Sequence, residues 1–149
     1  MRNSLPVILF TIILFACGSN EEQKEEMSKS DLMKQSAIAA KQPSFKDPAS
    51  FEFISFSVKD SITVSKRKES INREKLDEVM EYSSPLADAL KRQVQLEFDY
   101  LQKQTDGNEI AVYYTELVAK GTNSLGGVIQ NSFNLVMLND SVFTVTSVK

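Results

Sequence analysis

Residues 84–104 read SPLADALKRQVQLEFDYLQKQ, and this stretch decides the fold. Its apolar side chains recur every three or four residues, the spacing of one helix face, and they are Leu86, Leu90, Val94, Phe98 and Leu101. Ser84 followed by Pro85 is typical of a helix start. We therefore predict a helix from Pro85 to Gln104 whose apolar face, with Leu90 on it, lies against a β-sheet.

A second helical segment precedes this one, so that the two form a long broken helix. Asn72 is placed to cap it, Glu74 is favourable in its first turn, and the segment extends to Ser83. A short N-terminal helix is predicted from Asp31 to about Gln42, because Pro43 prevents its continuation.

Aromatic and β-branched residues predict strands on both sides of the long helix. The first two segments form a hairpin that turns at Lys59-Asp60 and the last three a meander: Phe51–Val58, Ile62–Val64, Ile110–Ala119, Val128–Leu138 and Val142–Val148. The alternation in the first segment changes phase between Phe53 and Ile54, which indicates a bulge or burial on both faces. The expected fold is α+β, an antiparallel sheet of about five strands with helices on one face.

The composition excludes several kinds of functional site. The chain of 149 residues contains no histidine and a single cysteine, Cys17. Histidine-based triads and zinc sites of histidine or cysteine are therefore excluded, and we expect no catalytic residue, metal or cofactor. The formal net charge of −3 provides no basic field for nucleic acid, so no nucleic-acid partner is expected.

The first 16 residues have the layout of a signal peptide. Arg2 is followed by an apolar run, Leu5 to Phe15, that is too short to span a membrane. Leu14-Phe15-Ala16-Cys17 resembles the lipobox of bacterial lipoproteins, in which the signal is cut before the cysteine and the cysteine sulfur receives a diacylglycerol. The resemblance implies lipid attachment at Cys17 and a lipid-anchored protein of the bacterial cell envelope, on the periplasmic or the exposed side of the outer membrane.

The predicted domain organisation follows from this start. Residues 1–16 are the signal peptide, residues 17–30 are the lipidated cysteine and a flexible acidic tether, and residues 31–149 form a single α+β domain. Glu21-Glu22 is similar to a surface-export signal, or belongs to a plain solvated linker. The segments 46–51 and 123–127 together resemble a pattern of small exported bacterial domains of unassigned function, which implies no catalytic residues.

Three interpretations apply to the basic run Ser65-Lys66-Arg67-Lys68. It matches the S-x-x-K motif of penicillin-binding proteins, but it lies in a predicted turn and lacks the motifs that accompany a catalytic serine there. With Arg73, the run could instead hold phosphate-bearing headgroups or polyanionic glycans, or form a solvated loop.

The carboxylates and turn residues offer weaker candidates. Neither Glu97 with Asp99 nor Asp77 with Glu78 shares a helix face, and Asp106-Gly107-Asn108 lacks the other ligands of a calcium loop.

Two further pairs allow two interpretations each. Tyr113-Tyr114 places one ring on each face of a strand, so at least one is expected to face away from the helix-covered core, as a partner contact or as sheet filler. Gly126-Gly127 allows close approach by a ligand or forms a bulge or loop.

These observations predict a non-enzymatic, membrane-anchored envelope lipoprotein that acts as an interaction or structural module. Its partners are the membrane, through the lipid on Cys17, and an unidentified envelope protein or glycan. One alternative is a carrier that binds an apolar or lipid-like ligand between helix and sheet. A third hypothesis is an enzyme with an unrecognised Ser/Lys or carboxylate site.

Overall fold

The computed structural model describes residues 27–84, 87–122 and 125–148. Within these ranges four α-helices and four strands form an α+β fold with an antiparallel sheet, as predicted. The helices are α1 (Lys29–Lys41), α2 (Val64–Ser70), α3 (Arg73–Met80) and α4 (Ala87–Gln102). The strands are β1 (Glu52–Thr63), β2 (Ile110–Thr122), β3 (Val128–Leu138) and β4 (Val145–Val148).

The sheet has the order β1-β2-β3-β4, and the prediction of about five strands is wrong because the first hairpin is absent. Lys59 and Asp60, predicted as its turn, lie inside the continuous strand β1. Since β2 is long enough to pair along all of β1, a register shift between Val58 and Asp60 takes the place of the turn. A second shift, between Phe53 and Ser55, supports the bulge rather than burial on both faces, the two alternatives that the sequence left open.

Helices cover both faces of the sheet, so the prediction of helices on one face is wrong. The short N-terminal helix is confirmed as α1, but its buried Met33 and Ala37 pack on the sheet face opposite α4. We call this the α1 face, and its core contains Leu117, Leu135 and Met137. The α1 face needs a cover because β2 places the apolar side chains of Tyr113 and Leu117 on it.

The helices between β1 and β2 differ from the predicted long broken helix. The basic run belongs to a separate helix, α2, and the two later segments form distinct helices, α3 and α4. Asn72 caps α3 as predicted, since its side-chain oxygen accepts a hydrogen bond from the Lys75 amide at 2.9 Å. Ser84 Oγ accepts one from the Ala87 amide at 3.2 Å, at the predicted start of α4.

The sheet face toward α2, α3 and α4, here called the α4 face, holds the second core cluster. It joins Val94, Phe98 and Leu101 of α4 to Val112 of β2 and Leu138 of β3. Leu90, predicted to face the sheet, is instead 38% exposed. Most buried side chains of α4 lie in its later turns. There the Tyr100 hydroxyl donates a hydrogen bond to the Asn139 carbonyl at 3.0 Å and holds the helix on the sheet. The first turns of α4 are less covered by the sheet.

The segment between α1 and β1 completes the cover of the α1 face. Phe45 packs edge-on against Phe51 and Phe133, with ring centroids 5.2 and 6.0 Å apart. A Cβ atom on Gly121 would lie 2.6 Å from Cδ1 of Phe45. Gly121 is therefore required for the ring to lie directly on the backbone of β2.

Candidate functional site

The most buried ionic group in the described chain is Glu97 on α4, whose side chain is fully buried. Arg67 on α2 pairs with it, and the Arg67 side chain is only 13% exposed. The Nε atom of Arg67 donates to Oε2 of Glu97 at 2.8 Å, and the Nη2 atom donates to the same oxygen. The basic run therefore places its middle residue in the interior.

Three neighbours complete this network. Oε1 of Glu97 accepts hydrogen bonds from Nε2 of Gln93 at 3.0 Å and from Oγ1 of Thr146 at 3.1 Å. Nη1 of Arg67 donates to the hydroxyl of Tyr114 at 3.2 Å. The network thus joins α2 and α4 to β2 and β4 across the α4 face.

Chemically, the network is closed. Both carboxylate oxygens of Glu97 accept hydrogen bonds, and in the described residues no buried side-chain nitrogen or oxygen is left without a partner. A general base needs a free lone pair within reach of a substrate proton. We therefore assign the Arg67–Glu97 pair to the positioning of helices on the sheet.

The S-x-x-K residues do not form a dyad. Oγ of Ser65 donates to the Gly107 carbonyl at 2.9 Å, and Nζ of Lys68 donates to the Gln104 carbonyl at 3.0 Å. The proposed anion site is also divided, because Arg67 points inward and Arg73 lies over the Phe98 ring, with its guanidinium carbon 5.0 Å from the ring centroid. Lys66 is exposed on α2.

The carboxylates of these pairs lie apart from each other, in agreement with the prediction from their spacing. Asp99 is exposed on α4 while Glu97 is buried, and Glu78 accepts from Lys75 at 2.8 Å on the surface of α3. Asp106 accepts from the Asn108 amide at 2.8 Å, which is a turn. Within the described ranges, no group of three or more potential metal-ligating side chains is found.

The two adjacent tyrosines lie on opposite sheet faces, but both faces are covered. Tyr113 is buried on the α1 face, where Nζ of Lys29 donates to its hydroxyl at 2.6 Å. Tyr114 faces Arg67 on the other side. The expectation that one tyrosine faces away from the helix-covered core is wrong, because α1 covers the second face.

Cys17 and Gly126 are the remaining residues that the sequence singled out. Cys17 and the whole signal region lie outside the described residues. Gly126 adopts a φ of 85°, a left-handed conformation that suits glycine in the turn before β3.

In the ranges that the structure describes, none of the helices has the length and apolar character to cross a membrane.

One end of the sheet extends beyond the helices on its α4 face. We call this part the open sheet end; it comprises 52–57 of β1, 116–122 of β2 and 128–134 of β3. Its α4 face is polar, with Lys120 bonded to Glu52 at 2.8 Å. A hydrogen bond from the Lys59 ammonium, and then one from the Ser132 hydroxyl, lowers the pKa of the Glu116 carboxyl below its ordinary value.

The other side of the open sheet end is mixed in polarity, with lysine side chains next to aromatic rings. A shallow concavity of about 230 Å³ lies on the α1 face and is lined by residues that include Lys41, Phe45, Ile129 and Phe133. Nζ of Lys41 lies 4.2 Å from the centroid of the Phe133 ring. Large apolar side chains are exposed around this end, and they are Phe53, Ile54, Leu125, Val128 and Ile129.

The outer edge of β3 is open along this end. β4 pairs with β3 only from Leu135 to Met137. Within the described part of the chain, no strand lies beside Val128–Asn134 on that side. Backbone N–H and C=O groups on such an edge are available to another strand.

The sequence predicted neither the buried Arg67–Glu97 pair nor the open edge of β3. The Arg67–Glu97 pair joins residues far apart in sequence, and Glu97 interrupts an apolar stripe in which no pattern marks it as buried. The open edge of β3 depends on how short β4 is, since the predicted last strand began at Val142. The uncharged composition of 128–134 is the signal that could have found it.

Comparisons of the chain with protein-family models, with curated proteins and with solved structures found no match.

Proposed function

We propose that this protein is a lipid-anchored module of the bacterial envelope that acts by binding through its open sheet end and carries out no reaction. The observation that carries the binding role is the exposed apolar edge at this end, where Val128 is 70% exposed and Ile129 lies next to it. Exposed apolar groups beside unpaired strand backbone are typical of protein contact sites.

The anchoring part of the proposal rests on Leu14-Phe15-Ala16-Cys17. Two or three acyl chains on one cysteine give stable membrane residence, at about 0.8 kcal/mol per buried methylene group. The first described helix begins at Lys29, so the chain from Cys17 onward separates the lipid from the folded part. This spacing allows the open sheet end to contact partners away from the bilayer surface.

We expect Cys17→Ser to move the protein from the membrane fraction to the soluble fraction of disrupted cells. The physical reason is that the serine hydroxyl does not replace the thiol as the acceptor of the lipid. Fractionation and intact mass of the extracted protein provide the measurement, and Ser19→Ala is the matched control that stays in the membrane. A Cys17→Ser protein that remains membrane-bound contradicts the anchoring.

The binding role has a separate test. A photo-crosslinking amino acid at Ile129 is expected to give a covalent protein adduct in whole cells, because this side chain is exposed at the open sheet end. The same probe at Asp77, which is exposed on α3, is the control. Equal adduct formation at both positions contradicts a specific contact at the open sheet end.

A further inference from the structure

The two long edges at the open sheet end differ in how they are protected. The β1 edge carries register shifts at three points along its length, the first of them between Phe53 and Ser55, and has Lys59 and Asp60 within it. Bulges and charged residues are the usual means by which proteins prevent edge-to-edge pairing. The β1 edge is therefore guarded against another strand.

The β3 edge has none of these protections. Residues 128–134 read VIQNSFN, without a charge, a glycine or a proline. The register of β2 with β3 runs without a shift from Val112 opposite Leu138 to Thr122 opposite Val128. A regular, uncharged edge of this length is well suited to accept an added strand.

The segment 128–134 is complementary to a second copy of itself in an antiparallel arrangement. If Asn131 lies opposite Asn131 of a second copy, each Ile129 faces a Phe133 and each Gln130 faces a Ser132. Ile129 and Phe133 already share the α1 face, where both line the same concavity. An aromatic residue opposite a β-branched residue is a favourable cross-strand pair, and the segment itself carries no charge.

We infer that two copies of this chain pair antiparallel through Val128–Asn134, around a two-fold axis that passes at Asn131. The inference rests on the proposed function and deepens it, because it names the partner of the open sheet end. Pairing joins the two sheets edge to edge in the order β1-β2-β3-β3-β2-β1, and each β4 stays on the remaining part of its β3 edge, at Leu135–Met137. A guarded β1 strand then forms each outer edge, so the assembly closes as a dimer.

Membrane anchoring favours this pairing. Copies held on one membrane share a small volume, which raises their effective concentration without any new contact. The concavity lined by Phe45 and Phe133 then adjoins Ile129 of the second copy, which adds an apolar side chain beside these two rings.

Disulfide trapping in isolated membranes tests the register. Directly opposed residues of an antiparallel pair have Cα atoms about 4.5–5.5 Å apart, within the range that a disulfide spans. We expect full-length Asn131→Cys to form a disulfide-linked dimer under mild oxidation at least about tenfold faster than Ser132→Cys, whose symmetric Cα atoms lie about 8 Å apart in this register. Wild type, with Cys17 alone, reports any crosslinking through that residue.

A charge exchange tests the pairing without a crosslink. Asn131→Lys brings two ammonium groups together at the axis and is expected to abolish the dimer, as is Asn131→Asp with two carboxylates. A mixture of the two variants is expected to restore dimers, measured by sedimentation of the detergent-extracted proteins. Because Asn131 is exposed, both variants keep the fold.

Several outcomes overturn the inference: equal trapping at Asn131 and Ser132, failure of the mixed variants to associate, or species larger than a dimer. A wild type that is monomeric but still membrane-anchored, with adducts to other proteins at Ile129, overturns the pairing and leaves the proposed function intact. If the probe at Ile129 also gives no adducts to other proteins, the proposed binding role is contradicted.

Discussion

Replacing Leu101 with aspartate is expected to unfold the domain or to lower its free energy of unfolding by about 4 kcal/mol or more. Leu101 is 0% exposed and packs between α4 and the sheet with Val112 and Leu138. The substitution removes buried apolar contacts and places a carboxylate among hydrocarbon, with no partner to offset its desolvation. Urea unfolding followed by circular dichroism measures the loss.

Leu90→Asp is the matched control on the same helix. Leu90 is 38% exposed, so its carboxylate stays in water, and we expect a loss of less than about 1 kcal/mol. If Leu90→Asp destabilises as strongly as Leu101→Asp, then α4 has a different face toward the sheet from the one described here.

The comparison of these two leucines shows what periodicity predicts and what it leaves open. The three-to-four spacing identified α4 and its buried Val94, Phe98 and Leu101. It could not separate Leu90 from them, because burial along the stripe depends on where the sheet lies beneath the helix. That position is set by contacts distant in sequence, such as the bond from Tyr100 to the Asn139 carbonyl.

The strands show the same division between local and distant information. Composition placed β2 and β3 with ends close to those observed, and it indicated the irregularity near Ile54. It did not show that Lys59-Asp60 continues the strand, because a turn and a bulge both accommodate two polar residues there. The length of β2, which pairs along both halves of β1, decides between them.

The sequence predicted less about the candidate functional residues than about the helices and strands. Tyr113 and Tyr114 were correctly assigned to opposite faces, but the second cover, from α1, was not expected. The inward orientation of Arg67 depends on a partner thirty residues later in the chain. Local sequence marks Lys66-Arg67-Lys68 as a surface run, and only the tertiary structure distinguishes its middle residue from its neighbours.

Glu97→Gln is expected to lower the free energy of unfolding by about 3–5 kcal/mol, because the change removes the charge and replaces one accepting oxygen with an amide group that donates. Glu97 is fully buried and Arg67 is 13% exposed, so the substitution leaves a guanidinium without its counter-ion in the interior. Arg67→Met is expected to cost a similar amount, since it leaves the carboxylate uncompensated. Denaturant unfolding of both variants gives the two values.

The double variant Arg67→Met with Glu97→Leu separates pairing from packing. Replacing both members of a buried ion pair with apolar groups is often close to neutral, so we expect a smaller loss than the sum of the singles, by at least about 2 kcal/mol. An additive result would show that the two residues act independently, and it would contradict the role of the pair in holding α2 and α4 on the sheet.

The exposed pair of Arg73 with Asp77 provides the surface control for this experiment. Their side chains are 71% and 66% exposed and their nearest charged atoms lie 3.9 Å apart, so Asp77→Asn is expected to cost less than about 1 kcal/mol. The two pairs differ both in burial and in geometry, because Arg67 donates hydrogen bonds to Glu97 from two nitrogen atoms whereas the exposed pair lies 3.9 Å apart. A loss at Glu97 as small as the loss at Asp77 would mean that water reaches the Arg67–Glu97 pair, which the described packing of α2 and α4 does not allow.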